Sequence, residues 1–181
     1  MKVTATQTSA REALQQRQGK GARYDAPEAP AADLLKMRHA TAYFARIMGQ
    51  LDDARMLVPS DCDPGLTPAR ILAEVGYEAR RFALALEPLC ASGSGPHAEA
   101  HLDDLPDISL ATTLPPRALR HLFHHSAIHL DVCLRDLPGQ AWGERVDLGC
   151  DQSVPVSDLP GRRTRKLMRA VDELSNGAFR V

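Results

Sequence analysis

The stretch from Thr67 to Leu89, TPARILAEVGYEARRFALALEPL, constrains the fold of this chain more than any other. Thr67 can accept a hydrogen bond from the free N–H groups of a first helical turn. Pro68 suits the first helical position, where its missing N–H would have no partner. Leu72, Val75, Ala79, Phe82, Leu86 and Leu89 follow alternating steps of three and four, so a helix over 67–89 carries one apolar face. Glu74 and Glu78 lie one turn apart on the flank of that face. At about 100° per residue, Glu78 falls roughly 60° and Glu74 roughly 100° from the centre of the stripe at Val75. Both glutamates can therefore look into a cleft between helices.

Three further segments carry the same period. Over 31–51, Leu34, Met37, Phe44, Met48 and Leu51 share a face, with Thr41 completing the spacing and His39 off it. Over 116–134 the stripe is Leu119, Phe123, Leu130, Cys133 and Leu137, with Ser126 at one stripe position and Pro138-Gly139 as the stop. The fourth helix starts at Ser157 or Asp158, with Pro160 in its first turn. It turns Leu167, Met168, Val171 and Leu174 to the core and ends at Asn176-Gly177. Aromatic residues make up only 4% of the chain, so the core is built from Leu, Ala, Val and Met, which favours helices. Residues 91–116 form a long connection with four prolines, Pro96, Pro106, Pro115 and Pro116. A connection of that length lets the third helix run parallel to the second. Residues 142–155 alternate weakly, as a short hairpin or an irregular loop. The expected fold is all-α, a four-helix bundle over 30–181 with one long crossover, preceded by a polar N-terminal arm over 1–29. Ser9 to Gln18 can form a short helix in that arm before Gly19, Gly21, Pro27 and Pro30 break it.

At 181 residues the chain can bury one real core. Its 22 basic and 23 acidic residues leave a net charge of −1, which argues against a general nucleic-acid binder. No apolar run reaches the length of a membrane span, and no apolar h-region follows the first residues. Cys62, Cys90, Cys133 and Cys150 form no CxxC pair, which excludes a zinc ribbon. A cytoplasmic protein with reduced thiols is expected, with no membrane partner.

Three polar groups bear on chemistry. His121, His125 and His129 are spaced i, i+4, i+8, with His124 beside them, and histidines one turn apart can chelate a metal. Glu74 and Glu78 facing His125 and His129 across a helix pair would form a carboxylate–imidazole cage, if the two helices are neighbours at matching heights. Solvated histidines are the commoner outcome of such spacing. Glu74 and Glu78 can act as acid, base or ligand; a flank paired with Arg70, Arg80 and Arg81 is the plainer reading. The basic run Arg162, Arg163, Arg165, Lys166 and Arg169 crowds the early turns of the fourth helix. Positive charge there opposes the helix dipole, so a bound anion or acidic partners, such as the 101–107 loop, are expected to compensate. Cys133 sits on the apolar stripe, as a core residue rather than a reactive thiol.

The run ADLLKMRHATAYFARIMGQLDDARMLVPS, followed by PGLTPARILAEVGYEARRF, resembles the N-terminal domain of mycothiol-dependent maleylpyruvate isomerases. These belong to the wider DinB-like group of metal-binding helical bundles. VPVSDLPGRRTRKLMRAVDELSNGAF is similar to the last helix of the same family, so the resemblance spans residues 31–178. It implies a four-helix bundle with a divalent metal, usually zinc. The implied ligands are a histidine on the second helix and a Glu and His four apart on the fourth. It also implies a low-molecular-weight thiol that adds to the cis double bond of maleylpyruvate and leaves after rotation, as fumarylpyruvate forms. The metal would polarise substrate oxygens or lower the thiol pKa. The sequence departs from this pattern at the ligands. Glu74 stands at the histidine position, and Lys166 and Ala170 stand at the Glu and His positions; a shift by one residue brings Arg165 and Arg169 there instead. Leu66 and Gly161 replace two family tryptophans. Many relatives carry a second, smaller C-terminal domain, for which the sequence to Val181 leaves no room.

The resemblance and the residues together lead to one main expectation. It is an isomerase-like protein that acts on an anionic substrate with a thiol at a divergent metal-type site. Glu74 and Glu78 are the catalytic candidates, Arg165, Lys166 and Arg169 hold the small anion, and Glu74, His125 and His129 are the candidate metal ligands. The alternatives are a non-catalytic bundle, which predicts Lys166 paired with a carboxylate such as Glu74, and a thiol S-transferase of the same fold. A homodimer is compatible with each.

Overall fold

The computed structural model describes residues 25–61, 63–90, 105–149 and 153–175, together with Glu12, Ala13 and Gln16. Each apolar stripe becomes a helix: α1 is Ala31–Gly49 and α2 is Pro68–Cys90. A single turn, α3 (Ile108–Ala111), follows in the crossover, then α4 (Pro116–Asp136) and α5 (Leu159–Ser175). Thr67 Oγ1 accepts from the Arg70 N–H at 3.1 Å, which is the cap its position suggested. The buried residues are those of the stripes: Leu34, Met37, Phe44 and Met48 on α1, Leu72 to Leu86 on α2, and Leu119, Phe123, Leu130 and Cys133 on α4.

Met168 corrects the reading of α5. It is 38% exposed, and the buried face runs instead through Arg163, Leu167, Ala170 and Val171. A face centred on Leu167 and Val171 leaves residue 168 about 100° away from Leu167 and on the rim.

The chain runs up, down, down and up through the four long helices. Arg38 meets Asp131 and Phe44 meets Phe123, so α1 and α4 are antiparallel. A Cβ on Gly76 would meet Leu122, and Cys90 donates to the Cys133 carbonyl at 3.4 Å, so α2 and α4 are parallel. Glu74 meets Lys166 while Glu78 meets Arg163, so α2 and α5 are antiparallel. The parallel α2–α4 pair is what the long crossover permits. These two pack most extensively, α1 lies chiefly on α5, and the α1–α4 seam is the loosest in the ring.

The core falls into two clusters. One holds Leu34, Met37, Phe82, Leu86, Leu130 and Leu134; the other holds Phe44, Met48, Leu72, Val75, Phe123, Leu167 and Val171. The break comes at the level of Ser126 on α4 and Arg163 on α5, both buried. A polar layer therefore crosses the middle of the bundle.

A 3-10 turn, Gly139–Gly143, brings Trp142 under the first cluster. A hairpin follows, in which β1 (Arg145–Asp147) pairs antiparallel with β2 (Ser153–Pro155), with Val146 opposite Val154. Both valines are buried, so the hairpin closes one end of the bundle. At the N-terminal side, Asp25 holds the Arg38 guanidinium with two 2.8 Å hydrogen bonds, and Ala26 and Ala29 are buried. From residue 25 onward, this part of the expected arm packs on the bundle. Glu12, Ala13 and Gln16 are helical, within the short helix expected at 9–18. Cys62, Cys150, residues 91–104 and the Asn176-Gly177 stop lie outside the described residues. Among the described residues, no helix is long and apolar enough to cross a membrane.

Candidate functional site

The antiparallel crossing of α2 and α5 sets the two glutamates of α2 against the basic run of α5. Glu74 Oε2 accepts from Lys166 Nζ at 2.8 Å, and its Oε1 accepts from Arg70 Nε at 3.1 Å. One turn on, Glu78 Oε2 accepts from Arg163 Nη1 at 3.0 Å, and the same nitrogen donates to the Val75 carbonyl at 2.6 Å. Arg163 is 1% exposed, and its Nη2 is buried with no hydrogen-bond partner.

Burial acts on both carboxyl groups, with opposite net results. At Glu74 burial pushes the pKa up, but the hydrogen bonds from Lys166 and Arg70 outweigh it and leave the group below its ordinary value. At Glu78 burial wins: the carboxyl is held above its ordinary value, with Arg163 only partly offsetting the loss of solvent. Burial also lowers the Arg163 pKa against the pull of Glu78, but a guanidinium stays charged in proteins.

Beside this pair lies a cavity of about 350 Å³. Glu78, Arg81 and Phe82 from α2, Arg162 and Arg165 from α5, and Leu148 after β1 line it. Three guanidinium groups, one carboxyl and an apolar wall converge there. Guanidinium forks match carboxylate oxygens two at a time, so such a space can hold a small polyanion with one apolar side.

The expected site residues fare differently. Glu78 and Arg165 line the cavity. Glu74 and Lys166 are engaged with each other. Arg169 is not part of the site: its Nε donates to Glu173 at 3.0 Å on the same helix, and its side chain is 79% exposed. Glu74, His125 and His129 are not brought together. Gly76 lies level with Leu122, so on parallel helices His125 and His129 sit roughly 8 and 14 Å further along the axis than Glu74, at about 1.5 Å per residue. His129 Nε2 instead lies 3.1 Å from Glu87, and His125 stacks on His121 at 5.9 Å between ring centroids. Among the described residues, no group of three His, Cys, Asp or Glu is arranged to hold a metal ion. The positions that the resemblance assigned to ligands do not fit one either. An ammonium group meets the Glu74 carboxylate, and Ala170 is buried without a donor atom.

Sequence reasoning missed Arg81 and Arg162 as cavity residues and Arg163 as a core residue. The signal for Arg163 was present. Stepping back by four from Leu167 on the α5 stripe lands on position 163, inside the apolar face. Arg81 carries no comparable mark: it is one of several arginines on α2, and only the approach of α5 selects it.

Comparison with known proteins agrees with this architecture. No curated protein matches the sequence. Two solved structures, the mycothiol-dependent maleylpyruvate isomerase and a histidine-to-alanine mutant of it, are each 28% identical to this chain. Their TM-scores are 0.63 and 0.64. The match covers 78% of this chain but 59% of theirs, so this chain spans less than two thirds of their length. The model of the mycothiol maleylpyruvate isomerase N-terminal domain matches residues 37–172. That match runs from α1 through α5 and includes the whole α2–α5 seam, and the chain belongs to the mycothiol maleylpyruvate isomerase N-terminal domain family.

Proposed function

We propose that this protein binds a small polycarboxylate of the maleylpyruvate class in the Arg81–Arg162–Arg165 cavity and isomerises it with a low-molecular-weight thiol, without a metal at the family position. The observation that carries this reading is the convergence of three guanidinium groups and the Glu78 carboxyl on one cavity, a turn away from the Glu74–Lys166 pair. In this reading the arginines hold the carboxylates and orient the double bond. Glu78 accepts the thiol proton, a role suited to a carboxyl whose pKa is raised toward working pH. The thiolate sulfur then bonds to one alkene carbon, and the electron pair of the double bond moves onto the conjugated carbonyl oxygen. Rotation about the resulting single bond follows. The electron pair returns, the C–S bond breaks, and the thiol regains its proton from Glu78. Arginine donors stabilise the transient oxyanion.

The test uses purified full chain, mycothiol and maleylpyruvate, with and without a chelator. Turnover that survives chelation and falls at least tenfold in Arg165→Ala and in Glu78→Gln is expected. Stoichiometric bound metal, or turnover abolished by the chelator, overturns the metal-free reading.

A second reading is favoured by the Glu74–Lys166 pair itself. A 2.8 Å ion pair at the ligand positions is the arrangement a non-catalytic bundle predicts. It is separated from the first by the same assay. Anion binding in the cavity without turnover leaves the fold as a binding protein, and restoring the ligands as Glu74→His, Lys166→Glu and Ala170→His would then confer zinc binding. A thiol S-transferase would transfer the thiol to another electrophile and release no isomer.

A further inference from the structure

Arg163 is buried between α2 and a second cavity. Its Nη1 is committed to Glu78 and Val75 on the α2 side, whereas its side chain also forms part of the wall of that cavity, of about 470 Å³, between α1 and α4. This cavity occupies the loosest seam of the bundle. It exists because Ala42 and Ala45 on α1 face Ala127 on α4, and side chains this small leave the gap between the helices unfilled. Phe123 supplies an aromatic wall, and its volume is within the usual range of small-molecule sites.

The arginines and the hydroxyl around this space are already engaged, with one exception, and His124 stands exposed at its edge. Arg38 is held by Asp25 and Asp131, and Thr41 Oγ1 donates to the Met37 carbonyl at 2.8 Å. Arg135 is bound to Asp136. Among the described side chains lining this cavity, Arg163 alone has a buried nitrogen, Nη2, without a hydrogen-bond acceptor. A buried donor left unsatisfied is costly, and more so when the group is charged, so an acceptor oxygen supplied by a ligand would recover that cost. Glu78 is hydrogen-bonded to Arg163 through Nη1, which leaves Nη2 unpaired.

We propose that the α1–α4 cavity is a second ligand site, which takes a small monocarboxylate with an apolar body, its carboxylate accepting from Arg163 Nη2 and its body lying against Phe123, Ala45 and Ala127. One carboxylate is the match because Arg163 offers one open guanidinium donor and the neighbouring arginines already carry acidic partners. The inference is independent of the function proposed above, because it concerns a different cavity and needs no turnover.

The test is binding of phenylacetate and hexanoate to the full chain, followed by calorimetry and by amide chemical shifts. Phenylacetamide and hexanamide serve as neutral controls of the same shape. Saturable binding is expected, with shift changes centred on Thr41–Ala45 and Phe123–Ala127, and the amides should bind at least tenfold more weakly. Arg163→Met should lose at least tenfold in affinity. That variant removes a buried charge and can unfold the chain, so Ala127→Phe provides the second arm. It fills the cavity, leaves Arg163 in place, and should abolish binding while the helical signal stays native. Equal affinity for amide and carboxylate overturns the proposal, as does binding that persists in Ala127→Phe. A high-resolution structure at millimolar ligand with only a water on Arg163 Nη2 also overturns it.

Discussion

Lys166 and Glu74 show how much depends on single atoms. A carboxylate and an ammonium group 2.8 Å apart occupy positions that the family resemblance assigns to metal ligands. Their protonation has a stability consequence with a definite sign. The Glu74 pKa is lower in the folded chain than its ordinary value, so the folded state releases its proton more readily than the unfolded one. The resulting stabilisation is present above the ordinary carboxylate range and is lost as pH falls through the depressed folded value. Lys166→Met should therefore cost about 1 kcal/mol near neutrality, since both side chains are about a third exposed and partly screened. In urea unfolding at an acidic pH below the ordinary carboxylate range the same substitution should cost less, because the stabilisation falls away as the Glu74 carboxyl protonates in the folded chain. A cost unchanged between the two conditions would show that the lysine acts through packing of its stem rather than through charge. Glu74 was legible as a departure from the family pattern, and its pairing with Lys166 is what the non-catalytic alternative predicts, because the resemblance assigns both positions to one site. Arg163 was not read correctly, because a basic run looks like a solvated face until the stripe is extended through it.

Between elements, α2 and α4 approach closely. A Cβ placed on Gly76 would lie 2.9 Å from Leu122 Cγ and 3.2 Å from Cδ2. The glycine is thus a space, not a turn, and it lets two parallel helices touch. Alanine there would gain about 0.5–1 kcal/mol of helix propensity. It would also have to displace Leu122, and overpacking of this kind costs about 1–3 kcal/mol. The net expectation for Gly76→Ala is a loss of about 1 kcal/mol. In a Leu122→Ala background the same change should become stabilising, because only the propensity term remains. Additive effects in that double-mutant cycle would disprove the contact. The four helices themselves were readable from period and caps, since Thr67, Pro68 and Pro116 mark starts and the stripes mark faces. The hairpin was left open with an irregular loop as the alternative, because β1 and β2 are three residues each, too short for alternation to declare itself.

On the scale of the whole molecule, the up-down-down-up order decides which parts of the chain depend on one another. The parallel α2–α4 pair follows from the proline-rich crossover, and it forces α1 to find its main partner in α5. The two cores share this dependence: Phe44 and Met48 lie with Leu167 and Val171, and Leu34 and Met37 lie with Val156 and Leu159. A chain stopped after Pro155 should retain helical content from α2 and α4 but lose a cooperative urea transition. Adding a separate peptide of residues 156–181 should restore it. A cooperative transition in the shortened chain alone would show that α1 docks without α5.

That order also has a consequence during synthesis. Of the described long helices α1 is the first to be translated, and the helix that chiefly covers its stripe is the last. Leu34, Met37, Phe44 and Met48 therefore wait for their main cover until α5 is made, a period in which exposed apolar surface invites aggregation or chaperone capture. Contacts so distant in sequence also slow closure once the chain is complete. The yield of folded protein should thus depend on how quickly the ribosome reaches α5, and synonymous slow codons between α4 and α5 would be the place where that dependence is felt.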